Sequence, residues 1–222
     1  SFENNHKILF TRQTMTSAHL SIIPEFQEKI DLLKLNGHFE VKRGLIENVS
    51  SKSEIIFKGI KTSSGDQTAN LKSLQGITTW ILDEAEELTD EETFDKINLS
   101  IRQKGVQNRV ILILNPASKE HWIYKRFFEQ SGVREGFNGV KNNVTYIHTT
   151  YQDNVENLDE SFLNEIQRIK INNPKKYQHV IMGGWLDKAE GVVFTNWSYG
   201  KFNPDDLHAL ELALNIKDRV PG

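Results

Sequence analysis

The chain has 222 residues, 37% of them hydrophobic, a formal net charge of −3 and no cysteine. That length supports a large domain with its own core, and the missing thiols exclude disulfides and thiolate metal sites. No apolar run approaches the ~18 residues of a membrane span, the first residues lack a signal-peptide layout, and the near-neutral charge confines any nucleic-acid contact to a local patch.

Taken in order, residues 7–12, KILFTR, read as a strand ending in Arg12. Leu20, Ile23, Phe26, Ile30 and Leu33 then recur at helical spacing, with Pro24 set to kink or restart the helix and Gly37 to end it. Residues 39–58 look like short strands, clearest at 54–58, EIIFK, and 62–70 form a polar loop. Residues 71–77 carry Lys72 and lead into a buried strand over 79–83. Thr89 and Glu92 make a capping-box pattern before a helix face of Phe94, Ile97 and Ile101. The run RVILIL, 109–114, has no alternation, as in a parallel strand covered on both faces, and halts at Asn115-Pro116. An aromatic helix is expected over 121–130, a Gly/Asn loop over 131–143 and a strand over 144–149. Helices follow over 159–172 and from Pro174 to Met182, then a strand over 191–197 and a helix over 205–214. Strand–helix alternation around fully apolar strands points to an α/β fold with a mostly parallel sheet.

The chemistry concentrates at TTWILDEAEE, residues 78–87. An apolar strand runs directly into Asp83 and Glu84, and buried carboxylates are costly unless paired or bound to a cation. Two readings are open. The strand may simply reach the sheet edge, where its acids are solvated; or Asp83 holds Mg²⁺ and Glu84 orients a water, a positioned base being worth about 10²–10⁴-fold. Ligands of α/β sheets sit at strand C-terminal ends, where Arg12, Asn115 and Thr149-Thr150 also fall. Asn115 is either a γ-phosphate sensor or a turn residue before proline. Lys72 and Arg12 are either transition-state cations or solvated surface charges. The acids after Glu84 suit a helix N-terminus. The seven histidines show no zinc-site spacing, and no G-x-x-x-x-G-K-[ST] phosphate loop occurs in the chain.

Several segments in order resemble the ATPase domain of the large terminase subunit of tailed phages and prophages: ILFTRQTMTS, SEIIFKGI, LKSLQGITTWILDEAEEL, RVILILNPAS, IHTTYQDN, and PKKYQHVIMGGW followed by EGVVF. The resemblance covers residues 7–197. It implies a P-loop NTPase-like α/β fold, a mostly parallel sheet flanked by helices with additional antiparallel strands. It implies Asp83 as the Mg²⁺ carboxylate, Glu84 as the catalytic base, Asn115 in the coupling motif and at the nucleotide, Lys72 as a trans-acting basic finger, and Arg12 among the nucleotide-binding cations. The cofactors would be ATP and Mg²⁺. Double-stranded DNA, a portal protein and the small terminase subunit would be partners of a homo-oligomeric ring, working in the host cytoplasm and docked transiently on the viral procapsid. Residues 1–190 would be a partial ATPase domain whose phosphate loop lies upstream, and 191–222 a linker towards the family's nuclease domain. A second reading is a non-catalytic, prophage-derived fragment or interaction module. A third is another Walker-type ATPase such as a helicase, which LNPAS and TTYQDN argue against.

Overall fold

The computed structural model describes residues 5–14, 22–62, 65–66, 71 and 74–187. All lie in the first of the two units into which the chain divides, Ser1–Lys188. Lys72, the 191–197 strand and the 205–214 helix lie outside the described residues.

In chain order the elements are β1 (Lys7–Thr14), α1 (Ile22–Leu32), β2 (Phe39–Lys42), β3 (Leu45–Asn48), β4 (Glu54–Thr62), β5 (Gly65–Asp66) and β6 (Ile77–Leu82). A 3₁₀ turn (Ala85–Glu87) precedes α2 (Glu91–Asn98) and β7 (Arg109–Leu112). Then come α3 (Trp122–Tyr124), continuing as a π-helical turn (Lys125–Glu129), β8 (Gly139–Lys141), β9 (Val144–Tyr146) and a 3₁₀ segment (Tyr151–Asn157). The last are α4 (Glu160–Asn172) and α5 (Pro174–Lys176), which runs into a second π turn (Tyr177–Ile181).

The expected α/β architecture is present. The main sheet runs β2-β3-β4-β1-β6-β7, with β5 on β4. Its centre, β4-β1-β6-β7, is parallel, and β2, β3 and β5 extend it antiparallel. Alternation along the strands sorts side chains to two faces. Leu9, Trp80 and Leu82 point to one face, where α2 and α3 supply Phe94, Ile97, Trp122 and Ile123. Phe10 and Phe57 point to the other, covered by Ile22 and Ile30 of α1. The first face is aromatic at its centre: Trp80 is fully buried and stacks on Phe94 at 5.3 Å, which meets Trp122 at 4.7 Å. The Trp80 indole N–H donates to Thr11 Oγ1 at 2.8 Å, so the core leaves no donor orphaned there.

Three expectations change. β7 is not covered on both faces: Val110, Leu112 and Leu114 pack on the aromatic core, but Ile111 and Ile113 are 41% and 48% exposed. The outer margin of β7 has no strand partner among the described residues. An apolar run reads the same whether its cover lies in this chain or not. Second, α2 is capped by Asp90, whose carboxylate accepts from the N–H groups of Glu92 and Thr93, rather than by Thr89; Asp is the stronger cap and stands one residue on. Third, β9 pairs only with β8, within the stretch expected to be loop. Thr149-Thr150 therefore ends no strand of the main sheet. Thr150 instead caps the following 3₁₀ segment in a capping box with Asp153.

Candidate functional site

The site forms where three parallel strands end together. Register aligns Thr11 of β1 with Leu82 of β6 and Leu112 of β7. The ladder continues one step further on each side: Asp83 N–H donates to Thr11 C=O and Ile113 N–H to Leu82 C=O, both at 2.9 Å. These bonds hold Asp83 at the level of Arg12. The chain then turns off the sheet at Glu84, whose φ of 52° and ψ of 47° lie in the left-handed region. That conformation costs a non-glycine residue about 1–2 kcal/mol. It is locked by Ala85 N–H, which donates to Ile113 C=O at 2.9 Å.

Arg12 spans both acids. Its Nε donates to Asp83 Oδ2 at 2.7 Å, one terminal nitrogen lies 2.6 Å from the same oxygen, and the other lies 3.3 Å from Glu84 Oε1. Arg12 and Asp83 are largely withdrawn from water, at 19% and 15% side-chain exposure; Glu84 is more open at 40%. The sheet thus presents two adjacent carboxylates under one guanidinium. Cation demand at this point is real, which argues against the reading of two simply solvated acids. No group of three or more His, Cys, Asp or Glu side chains able to hold a metal occurs among the described residues. A divalent cation here would rest on Asp83, with the remaining ligands from water and phosphate, which suits Mg²⁺ and its preference for few carboxylates.

Asn115 stands exposed beyond the end of β7, and its side chain has no hydrogen-bond partner among the described residues. It makes no hydrogen bond to Glu84. The structure therefore brings Arg12, Asp83 and Glu84 together, and leaves Asn115 facing solvent at the same sheet end. Lys72 lies outside the described residues.

A cleft of about 570 Å³ opens between the segment leaving β6 and the one leaving β7; Thr89, Glu91, Ser118, His121, Lys125 and Arg126 are among its walls. His121 Nδ1 accepts from Ile123 N–H and caps α3, while its Nε2 is buried without a partner among the described residues. Burial pushes the imidazole pKa below its ordinary value, against the opposing pull of the Glu86 backbone. Glu86 Oε2 is likewise buried and unpartnered. Sequence reasoning treated Glu86 only as a helix-start acid and did not single out His121; a histidine immediately before an aromatic helix was the available signal. Arg126 bonds Glu91 and Asp95 at 3.0 and 2.7 Å and covers the Phe94 and Phe127 rings at 5.2 and 5.6 Å. It ties α3 to α2.

Several known proteins resemble this chain. The family model described as "Phage terminase large subunit" matches residues 1–184. The large terminase subunit of Bacillus phage SPP1 is 27% identical over 199 residues, which is 83% of this chain and 43% of that protein. The crystal structure of a large terminase from a thermophilic bacteriophage superposes with a TM-score of 0.63 at 16% identity, over 88% of this chain and 44% of that one. The same protein in complex with ATP-gamma-S gives 0.58 at 15% identity, over 82% and 40%. At these identities the superpositions speak for the fold alone. The chain spans less than half the length of these relatives.

Proposed function

The chain belongs to the phage terminase large subunit family, and we propose that it is the ATPase part of a viral motor subunit that drives double-stranded DNA into a procapsid. The observation that carries this reading is the acid pair at the end of β6, set beside β1 and β7 and bridged by one cation that offsets half of its charge. In this reading Asp83 holds Mg²⁺ and Glu84 takes a proton from the attacking water. Arg12 offsets the charge of both acids and is released from part of that task when metal and phosphate arrive. Asn115, exposed beyond β7, contacts the γ-phosphate or senses its loss. Lys72 is proposed as a basic finger acting on a neighbouring subunit's nucleotide. When bound, the metal supplies charge neutralisation of the phosphates; the residues here supply its carboxylate, the base and the positioning.

The G-x-x-x-x-G-K-[ST] motif does not occur in these 222 residues, so in this reading residues outside them grip the phosphates. The open margin of β7, next to Asn115, is where a strand carrying such a cradle would complete the sheet. Portal protein, small terminase subunit and further copies in a ring are the partners this reading entails, in the host cytoplasm and on the procapsid. The second reading, a fragment that folds without binding nucleotide, is favoured by the missing cradle.

One variant tests the assignment. In the complete subunit assembled with DNA and portal, Glu84→Gln should retain ATP binding and lose ATP turnover by at least ~10²-fold. Near-normal turnover would remove Glu84 as the base. A complete subunit that neither binds nor hydrolyses ATP would leave the fragment reading standing.

A further inference from the structure

Charge is segregated along this chain. Residues 83–95 contain eight acids and no Lys or Arg, whereas the twenty-one residues between Glu165 and Asp187 contain no acid and include Arg168, Lys170, Lys175 and Lys176. The basic stretch is the second half of α4, α5 and the π turn after it. The fold gathers these cations at a corner. Asn173 breaks the helix with a non-helical backbone and caps α5 by accepting from Lys176 N–H. A groove of about 210 Å³ results, lined by Arg168, Ile169, Asn172, Asn173 and Lys176, together with Glu165.

The cations there are available. Neither Lys175 nor Lys176 makes an ion pair or hydrogen bond through its ammonium with the described residues, and both are exposed. Lys170 lies 5.4 Å over the Tyr177 ring. Among the described residues lining the groove, Glu165 is the acid that opposes them: Arg168 binds it at 2.7 and 2.8 Å and holds its carboxyl below the usual range, with a smaller contribution from Lys176. That pair is exposed, at 46% and 71%, so solvent screens it and a stronger anion can replace it. At about 210 Å³ the groove is smaller than a typical small-molecule site. It offers guanidinium, ammonium and amide donors, the groups that contact nucleic-acid phosphates without reading sequence.

We propose that the α4–α5 corner is a sequence-independent docking surface for the phosphate backbone of double-stranded DNA, with Arg168, Lys175 and Lys176 as its contacts. This rests on the motor reading above. Three contacts contribute a slope of about −2.7 to the dependence of log affinity on log salt.

The test is fluorescence anisotropy of a labelled 30-base-pair duplex titrated with the chain between 50 and 200 mM salt. The double reversal Lys175→Glu with Lys176→Glu should weaken binding ~10–100-fold at 100 mM salt and flatten the salt slope by about 2. The pair Lys175→Gln with Lys176→Gln should lose less affinity with a similar flattening. A control reversal, Arg102→Glu with Lys104→Glu on the exposed loop before β7, should leave binding near that of wild type. Wild-type affinity and slope in the double reversal would overturn the surface while leaving the motor reading intact. Absence of DNA binding by the wild-type chain would overturn the surface, while the motor reading stands or falls on the assay of the complete subunit. Loss of self-association in sedimentation, with DNA binding unchanged, would assign the corner to a second copy and also end the proposal.

Discussion

Arg12→Ala is the most informative single change, because one side chain bridges both acids at the strand ends. Its two short contacts to Asp83 are charge-assisted and largely out of water, whereas the 3.3 Å contact to Glu84 is partly solvated and contributes little. Removing one partner of a buried ion pair costs about 3–5 kcal/mol, because the other charge is left uncompensated. Asp83 retains some solvent contact, which brings the expectation to about 2–3 kcal/mol. For a unit of this size that lowers Tm by roughly 5–10 °C. Urea unfolding followed by circular dichroism measures it, with Asp83→Asn completing a double-mutant cycle. The cycle should return a coupling of about 1.5–2 kcal/mol. An Arg12→Ala chain within ~0.5 kcal/mol of wild type, or strictly additive single effects, would refute the claim that the guanidinium is what makes the paired acids tolerable.

Two further expectations follow from the same strand ends. Glu84→Gly removes a side chain from a left-handed backbone and should change stability by between 0 and about +1 kcal/mol, since relief of strain exceeds the loss of one half-exposed contact; a clear loss of stability in calorimetry would show that the Glu84 conformation is unstrained. His121 gives a pH dependence. Burial lowers its pKa below the ordinary 6.5, so below that pH the unfolded chain takes up a proton that the folded chain resists. Stability from this residue is fully present above about pH 6.5 and falls as pH drops towards the folded value. Urea midpoints at pH 7.5 and 5.5 should therefore differ more in wild type than in His121→Asn, which keeps a helix cap; equal differences would clear His121 of the effect.

What the sequence discloses here divides along a physical line. The β6 strand and its acids are legible because an apolar run leads directly into two adjacent carboxylates. The capping of α2 is legible to within one residue, since Thr89 and Asp90 are both good caps. The Arg12–Asp83 link is not legible: 71 positions separate the partners, and only the parallel register of β1 and β6 brings them level. β9 falls within the expected strand, whereas β8 hides inside a Gly/Asn stretch, although Asn142-Asn143, with φ of 49° and 62°, is the kind of pair that a two-residue hairpin turn demands. The π turns at Lys125–Glu129 and Tyr177–Ile181 leave the apolar spacing nearly helical and so escape a periodicity test.

The margin of β7, without a strand partner among the described residues, also offers a template for a second copy. Arg109–Leu112 present backbone donors and acceptors in a row, beside the half-exposed Ile111 and Ile113. Natural sheets blunt such margins with lysines, prolines or bulges. Here Arg109 is the one charge on the strand, and Pro116 arrives only after it has ended. Two copies that zip margin to margin bury the same isoleucines that a companion strand would cover. Precipitation and completion of the sheet therefore compete for one set of hydrogen bonds. Dilution, or a strand supplied in excess, tips the outcome towards the soluble form.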